Sequence, residues 1–396
     1  MIGERYTAPE CQLESSGSRS QQITYTRERV RLMPTSPADL LSRRHFLVTA
    51  AGMAGAAALA ACGSGNSTAS SKSTASSSTK SSTPTAVDMT LAFSFLENVE
   101  YAGWYLGKQG GFFSQRNLNV TFLGGGPNTP APETQLQAGA AQVVVEANTV
   151  RLFAAIAKKQ PLVILSQDFQ VSPNGLLSLA RHPVTTSAEL RGAKIIAAAS
   201  NRQNMAVLMK LNGVTDYQFV PGGSSVDSLL AGQGDALLAF AQNQPIILET
   251  QYHMKPGKDF FFVPFSDLNY YLLSDVLVTT KSYATSHRAA VVDLLAGALQ
   301  GWQEDLSNPA QGTAATMALS GTSLGLNQQQ QQAVNQTQLP YILPKGTPSS
   351  DLLSLDPAFV QQHLYPSLEA AGITGLPPAS SVVDPTLLED ARASIK

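Results

Sequence analysis

From residue 88 onward, short apolar runs with strand periodicity alternate with helical segments, and this alternation occurs twice along the chain. Residues 89–95 alternate large apolar with small or polar side chains, which is the period-2 pattern of a strand. The series restarts after residue 180, where Thr186 and Glu189 form a capping-box pattern. Strands that alternate with helices at this spacing predict βα units, so we expect an α/β chain with largely parallel sheets.

The first series predicts strands at 89–95, 119–123, 143–146 and 162–166, with helices at 101–109, 133–138 and 149–158. The second predicts strands at 195–198, 219–220 and 236–240, with helices at 205–211, 226–230 and 246–251. Beyond residue 286 the pattern predicts mainly helices, at 289–306, 310–319, 328–336 and 359–370.

An internal similarity indicates that the two series build similar lobes. Residues 136–143 match residues 229–236 at an offset of 93, and both segments read as a helix end, a glycine and a buried strand. We therefore expect lobe 1 over 88–180, lobe 2 over 181–275, and a return to lobe 1 with C-terminal helices over 276–396. The two crossings, at 176–180 and 272–276, are the predicted hinges.

Two export motifs precede this body. Residues 42–47 (Ser-Arg-Arg-His-Phe-Leu) resemble a twin-arginine signal, and the Ala- and Gly-rich stretch that follows ends at residues 59–62 (Leu-Ala-Ala-Cys), which resemble a lipobox. We predict an N-terminal extension and signal peptide over 1–61 and lipidation of Cys62. The alternative is an Ala-rich buried helix with an incidental cysteine.

The segment that follows Cys62 predicts a flexible linker over 62–87. Of the 25 residues from 63 to 87, 15 are Ser or Thr, a composition that cannot bury enough apolar surface to become ordered. Multiple acyl chains anchor a protein stably, whereas a single chain does not. We therefore expect an exported protein on the outer face of the cytoplasmic membrane, held there by its lipid anchor.

Composition and motifs exclude several classes of function. Residues 88–396 carry 17 Lys and Arg against 23 Asp and Glu, so we expect no nucleic-acid partner. The chain has two cysteines, Cys11 and Cys62, which excludes a disulfide framework and a four-cysteine metal site. Residues 321–325 fit G-x-S-x-G but follow a helix rather than a strand, so a nucleophile elbow is not expected. We predict no catalytic residue, no cofactor and no metal site.

The candidate binding residues lie where predicted strands end, because ligands of open α/β sheets bind outside the carboxyl ends of strands. Trp104 and Tyr105 are neighbours on a helix and cannot face the same way, so we expect one of them, Trp104, in a cleft, where it stacks on a flat ring. The full set is rich in carboxamides and aromatic rings: Asn98, Glu100, Tyr101, Trp104, Asn148, Gln167, Asn243 and Gln244.

Several segments carry a resemblance to a known family. Residues 98–120 resemble the opening of ABC-transporter extracytoplasmic solute-binding lipoproteins of the nitrate/sulfonate/thiamine-precursor class, which also resemble thiamine pyrimidine synthase. Residues 187–195 are similar to the "DLkGKkI" segment of that class, residues 235–245 to its "D-A…N-E-P" junction, and residues 301–309 to its late helix. The resemblance covers roughly residues 88–340.

The resemblance implies a type II periplasmic-binding-protein fold, in which two βα lobes are joined by a hinge and the C-terminal helices pack on the first lobe. It further implies that a monomer captures a small solute in the inter-lobe cleft and delivers it to the permease and ATPase subunits of an importer, with a lipid anchor in the membrane. The solute expected from the first loop is a flat heterocycle, either a thiamine pyrimidine precursor or a riboflavin-like compound.

Two departures and two alternatives qualify this expectation. Gln142 stands where the family usually has Asp, and Gln244 where it usually has Glu, which favours a neutral ligand. Nitrate or an aliphatic sulfonate instead needs a cationic cradle, for which Arg151 and Arg202 are the candidates. A thiamine pyrimidine synthase-type enzyme needs a lysine, a histidine and a cysteine cluster, yet no cysteine follows Cys62.

Overall fold

The computed structural model describes residues 86–126 and 129–395. The predicted signal peptide, Cys62 and all but the end of the linker lie outside the described residues. Among the described residues, no helix combines the length and the apolarity needed to cross a membrane. The described chain forms two five-stranded sheets with helices on both faces of each.

The first sheet has the strand order β2-β1-β3-β10-β4. β1 pairs in parallel with β2 and β3, whereas β10 runs antiparallel to both β3 and β4. Its central strands are apolar on both faces, as expected of a sheet covered on both sides. The strands are β1 (Val87–Phe93), β2 (Leu118–Leu123), β3 (Val143–Glu146), β4 (Leu162–Phe169) and β10 (Ser274–Thr280).

The second sheet has the order β7-β6-β8-β5-β9. β6 pairs in parallel with β7 and β8, and β5 runs antiparallel to β8 and β9. The strands are β5 (Asn174–Leu179), β6 (Lys194–Ala197), β7 (Gln218–Pro221), β8 (Ala236–Phe240) and β9 (Phe260–Pro264).

The helices fall in the order that the sequence pattern predicts, and two π-helical turns, Met317–Gly321 and Val360–Leu364, join consecutive helices late in the chain. The helices are α1 (Ala102–Gln109), α2 (Pro132–Gln137), α3 (Thr149–Ala157), α4 (Arg202–Leu211), α5 (Val226–Leu230), α6 (Gln244–Thr250), α7 (Lys281–Ser286), α8 (Arg288–Ser307), α9 (Pro309–Thr316), α10 (Thr322–Leu324), α11 (Gln328–Ile342), α12 (Pro357–Phe359), α13 (Tyr365–Ala370) and α14 (Thr386–Ser394).

Four of the five strands in each sheet run parallel, as expected, and the periodicity did not predict the one antiparallel strand that each sheet also contains. The chain leaves the first sheet after β4 and returns to it as β10, so β10 enters at the edge where β1 and β3 end. A strand that enters at that edge must run against the others. The same geometry makes β5 antiparallel in the second sheet.

The crossings between the sheets occupy residues 170–173 and 265–273. The hydroxyl groups of Ser172 and Ser274 lie 3.0 Å apart in a hydrogen bond, which ties the two crossings together. β5 is hydrogen-bonded within the second sheet, although residues 174–179 fall inside the range predicted for lobe 1. Consequently the residues at 176–180, one of the predicted hinges, belong to a regular strand.

Helices α1 and α8 pack closely because both carry glycines four residues apart along the contact. Gly103 and Gly107 on α1 face Gly297 and Gly301 on α8, and the Trp302 ring covers Gly103. A Cβ atom on Gly301 would overlap the Gly103 carbonyl oxygen. The absence of side chains therefore sets the distance between the two helix backbones.

The C-terminal helices pack on the first sheet. Leu387 and Leu388 of α14 join the core on the face that carries α1 and α8, and α13 covers the other face. α13 also touches the second sheet's helices, since the side chain of Gln203 donates to the Ala371 carbonyl and that of Lys210 to the Ala370 carbonyl. The C-terminal segment thus bridges both halves of the described chain.

Candidate ligand-binding site

The edge of the first sheet that faces the crossings gathers the ends of β1, β3 and β4 and the start of β10. Ser94 joins two of these ends. Its backbone N–H donates to the Val145 carbonyl at 3.0 Å, and its side-chain oxygen accepts from the Ala147 N–H at 2.9 Å. The loops that follow β1 and β3 are therefore held side by side, which is the arrangement expected of a binding site at strand ends.

The loop between β1 and α1 combines exposed apolar side chains with a fixed backbone. Phe95 is 48% exposed, and Leu96 is also exposed. Asn98 is half-buried, and its Oδ1 atom accepts from the Glu100 N–H at 2.7 Å. Two buried glutamines of α11 hold Val99 in place, because Gln331 accepts from its N–H and Gln338 donates to its carbonyl. The loop therefore exposes Phe95 to solvent, and the hydrogen bonds from α11 fix its backbone at Val99.

Trp104 does not face the cleft, so this part of the prediction is wrong. Its side chain is 0% exposed, and its indole N–H donates to the Oδ2 atom of Asp168 at 2.7 Å. Tyr105 is also fully buried and packs edge-on against Phe93 and Phe122. Both rings are buried because they pack in the core between α1, the first sheet and α8.

Tyr101, predicted as a ligand contact, is buried as well. Its ring stacks on Phe93 with a centroid distance of 4.0 Å and an interplanar angle of 15°. Its hydroxyl lies beside Glu100, Asp275 and Ser94, but has no hydrogen-bond partner of good geometry. The ring therefore belongs to the core, while the hydroxyl points at the strand-end edge.

Three carboxyl groups, Glu100, Asp168 and Asp275, meet at this edge, and we call them the carboxyl cluster. Glu100 is partly exposed, whereas Asp168 and Asp275 are buried. The carboxyl groups of Glu100 and Asp275 face each other, yet neither oxygen of Asp275 has a hydrogen-bond partner of good geometry. Asp275 also has a φ of 52°, which is costly for a residue other than glycine.

Burial disfavours the charged form of every member of the carboxyl cluster. Burial raises the pKa of Asp168 to about 8, against the lowering effect of the Trp104 and Trp302 indoles. The Trp302 N–H itself has no hydrogen-bond partner of good geometry. Burial also raises the pKa of Glu100 and, more strongly, that of Asp275, which the facing Glu100 raises further. Burial therefore favours the protonated form of each carboxyl group in the cluster.

Asn148 and Arg151 lie at the end of β3, but their roles are local. Asn148 is exposed and caps α3, accepting from the Arg151 N–H at 2.9 Å. The Arg151 guanidinium bonds both oxygens of Glu146, at 2.8 and 2.7 Å, and lies 3.3 Å from Glu133. Two acids thus neutralise the cation proposed for an anion site.

The predicted residues of the second sheet differ in exposure. Asn243 is exposed after β8. Gln244 is only 2% exposed, and its Oε1 atom accepts from the Phe240 N–H while its Nε2 atom donates to the Ser224 carbonyl. Gln244 therefore joins the ends of two loops, and a glutamate there could not donate the second bond. Phe240, which precedes these residues, is exposed.

Gln167 lies within β4 and is buried, with its backbone N–H bonded to the Leu353 carbonyl at 3.2 Å. Gln167 is among the predicted site residues, whereas Asp168 and Asp275 are not. A signal for them exists, because each is the single acid of a buried strand, where an unpaired charge is costly. No three His, Cys, Asp or Glu side chains in the described part of the chain are arranged to hold a metal ion.

This chain is similar to a known protein family in sequence and to solved structures in fold. The model of the NMT1/THI5-like family matches residues 98–312, which include the loop after β1, both crossings and helix α8. The chain belongs to the NMT1/THI5-like family. No functionally curated protein is significantly similar to it in sequence.

Solved structures show that this NMT1/THI5-like chain has the periplasmic-binding-protein fold. A putative periplasmic sulfonate-binding protein from Methylobacillus flagellatus superposes with a TM-score of 0.57 at 12% identity, covering 78% of this chain and 95% of that one. The alkanesulfonate-binding protein of Xanthomonas axonopodis pv. citri gives 0.53 at 15% identity, covering 76% and 100%. The desulfurization enzyme DSZB gives 0.51 at 15% identity, covering 78% and 100%.

Proposed function

We propose that this protein is the solute-binding component of an ABC importer. The observation that carries the proposal is the arrangement of the two sheets, between which the chain crosses twice. Aromatic and carboxamide side chains gather at the strand ends beside the crossings, namely the exposed Phe95 and half-buried Asn98 on the first sheet and the exposed Phe240 and Asn243 on the second. A cleft lined in this way suits capture of a small solute.

We propose that the two sheets are the cores of two lobes that close over the solute by a hinge motion. Sheet membership favours hinges in the crossings at 170–173 and 265–273, where few residues must change conformation. The hydrogen bond between Ser172 and Ser274 couples the two crossings, so they move as a unit. The protein acts as a monomer that presents its closed form to the permease and ATPase subunits.

The ligand class that best fits the lining is a flat nitrogen heterocycle, such as a thiamine pyrimidine precursor or a riboflavin-like compound. Phe95 and Phe240 offer exposed ring faces for stacking, in place of the buried Trp104. Asn148 and Asn243 are exposed and offer amide N–H groups that can pair with ring nitrogens and exocyclic groups, whereas the Asn98 amide already bonds Glu100 and Leu96. Gln244 instead serves the protein backbone.

A second candidate ligand is an aliphatic sulfonate or nitrate. Arg202 favours it, because this residue is exposed at the first turn of α4, where helix N-terminal N–H groups also attract anions. The Arg202 guanidinium lies over the Phe219 ring at 4.1 Å, which holds it in place. Two of the structurally similar proteins are described as sulfonate-binding.

Enzymatic activity is the least supported alternative. The desulfurization enzyme DSZB shows that this fold can carry catalysis. The synthase-type chemistry considered for this family requires a cysteine cluster, and the sequence has no cysteine after Cys62. The described strand ends offer carboxyl, amide and aromatic groups but no nucleophile activated by a base.

Replacing Phe95 by alanine should weaken ligand binding by about 1–3 kcal/mol, because a stacked ring loses its apolar contact. The ligand is first identified by mass spectrometry of the small molecules that co-purify with the full chain, and affinity is then measured by titration calorimetry. Tyr252→Ala is the matched control, since Tyr252 is equally exposed but bonds Asp227 of α5. Equal losses in the two variants would contradict the stacking role.

We also propose that Cys62 is lipidated and anchors the protein on the outer face of the cytoplasmic membrane. The support is the order of Arg43, Arg44 and the Leu-Ala-Ala-Cys sequence at 59–62, all outside the described residues. The Cys62→Ser variant should be released from membranes or remain unprocessed, as fractionation and immunoblotting will show. Membrane association of that variant at the mature size would contradict the proposal.

A further inference from the structure

The carboxyl cluster lies at the edge of the first sheet where we propose that the ligand binds. Stacking of a neutral ring does not require these acids. Resting on the proposed function, we propose that Glu100 and Asp275 bind a cationic nitrogen group of the ligand, with Asp168 behind them. The group is an organic cation, either an ammonium substituent or a protonated ring nitrogen. The proposal gives the ligand a positive charge. The glutamines at 142 and 244, where the family usually has Asp and Glu, suggest instead a neutral ligand.

The geometry shows unused bonding capacity at this point. Asp275 is only 1% exposed and faces the Glu100 carboxyl, yet neither of its oxygens has a hydrogen-bond partner of good geometry. The Oδ1 atom of Asp168 and the buried Tyr101 hydroxyl, which lies beside Glu100 and Asp275, also lack a partner of good geometry. Buried polar groups without well-placed partners are rare in folded proteins. An ammonium group has three N–H donors and a protonated ring nitrogen has one, so either can donate to a carboxyl oxygen of this cluster.

No basic side chain of the protein fills this role in the described residues. The groups that face Asp275 are the carboxyls of Glu100, Asp168 and Glu146 and the Tyr101 hydroxyl. The neighbouring cation, Arg151, is engaged by Glu146 and Glu133, and the ion pairs of the described residues leave the carboxyl cluster unpaired. The carboxyl groups of the cluster therefore have no basic partner among the described residues, and a bound cation can take that place.

The position of Glu100 gives a ligand access to the cluster. Glu100 is partly exposed and follows Phe95 on the same loop, whereas Asp275 and Asp168 lie beneath it. The carboxyl groups are not arranged to hold a metal ion. An organic cation does not require the regular coordination geometry of a metal ion, because each of its N–H groups needs one hydrogen-bond acceptor.

Binding of a cation to this cluster should be linked to release of a proton. Burial raises the pKa of both Glu100 and Asp275 and so favours their protonated forms, and a cation that gains a carboxylate partner here displaces a proton. Affinity for the cation is therefore low at acidic pH and increases as the pH rises toward the pKa range of the pair. The slope approaches about tenfold per pH unit when one proton is released.

The test compares two compounds that differ only in charge, an aminomethyl-substituted aminopyrimidine and its hydroxymethyl counterpart, against the full-length protein by titration calorimetry. The aminomethyl compound should bind about tenfold more tightly or better, as expected for a hydrogen-bonded charge. Its affinity should increase as the pH rises, with proton uptake by the buffer, while that of the hydroxymethyl compound stays constant.

Variants assign the effect to the carboxyl cluster. Glu100→Gln should abolish the preference for the aminomethyl compound, and Asp275→Asn should do the same. Glu97→Gln, a matched change on the same loop, should retain it, because the charged neighbour of Glu97 is Lys108. Should Glu100→Gln prevent folding, the pH dependence of the wild-type protein still decides. Equal, pH-independent binding of both compounds overturns the cation subsite alone, whereas binding of neither overturns the heterocycle ligand and the subsite together.

Discussion

Trp104→Ala should lower the free energy of unfolding by about 3–5 kcal/mol, the usual cost of removing a large aromatic side chain from a core. The Trp104 ring is completely buried beneath the strand-end edge, and its N–H is the donor that satisfies the Oδ2 atom of Asp168. The variant loses both the packing and this hydrogen bond. Urea denaturation monitored by circular dichroism at pH 7 measures the change.

A second substitution at the same position separates packing from hydrogen bonding. Trp104→Phe keeps most of the buried area and removes the N–H, so it should cost about 1–3 kcal/mol, the penalty of an unsatisfied buried acceptor. The exposed Phe95 is the contrasting site, because Phe95→Ala should weaken ligand binding with little effect on unfolding. If Trp104→Ala unfolds like the parent and instead loses ligand affinity, Trp104 faces the ligand after all.

Gly301→Ala should destabilise the protein by about 3 kcal/mol, at the upper end of the range for overpacking. A Cβ atom at Gly301 overlaps the carbonyl oxygen of Gly103, which is backbone and cannot rotate away. Helices α1 and α8 must then separate, and the Trp302 ring that covers Gly103 loses its contact. Thermal unfolding by calorimetry gives the change in melting temperature.

The control for this substitution is a glycine of the same helical region whose neighbour can move. A Cβ atom at Gly321 would meet the flexible end of the Met317 side chain, so Gly321→Ala should change stability by less than about 1 kcal/mol. Equal effects of the two substitutions would show that backbone entropy, rather than the contact between α1 and α8, governs the response.

The local sequence pattern was sufficient to predict a helix or strand whose own residues have a clear period and are bounded by turn residues. The predicted bounds of α5 and β8 agree with the structure at residues 226–230 and 236–240, because each is bounded by turn residues and has a clear period. β5 and β10 were not predicted, since each follows a crossing rather than a helix, and β9, which precedes the second crossing, was not predicted either. Their direction depends on which sheet the chain enters, and at which edge, and neither is a local property.

The loop after β1 was identified correctly as a sequence feature, but the orientation of its side chains was not. Residues 98–105 combine polar groups with three aromatic rings, which indicates that some of them are bound or buried. Contacts between distant segments decide which, because the Trp104 indole meets Asp168 of β4, and the start of β10 brings Asp275 to Glu100 from a distance of 175 residues along the chain.

The sequence by itself determined the two βα series, the order of their helices and the family, because periodicity, turn residues and short motifs are all written locally. Only the tertiary structure decided which side chains of the first loop face solvent and which acids become neighbours. Burial of Trp104 and the meeting of Glu100, Asp168 and Asp275 arise from contacts between distant segments. A carboxyl group surrounded by water in the unfolded chain acquires its raised pKa only when those segments exclude the water.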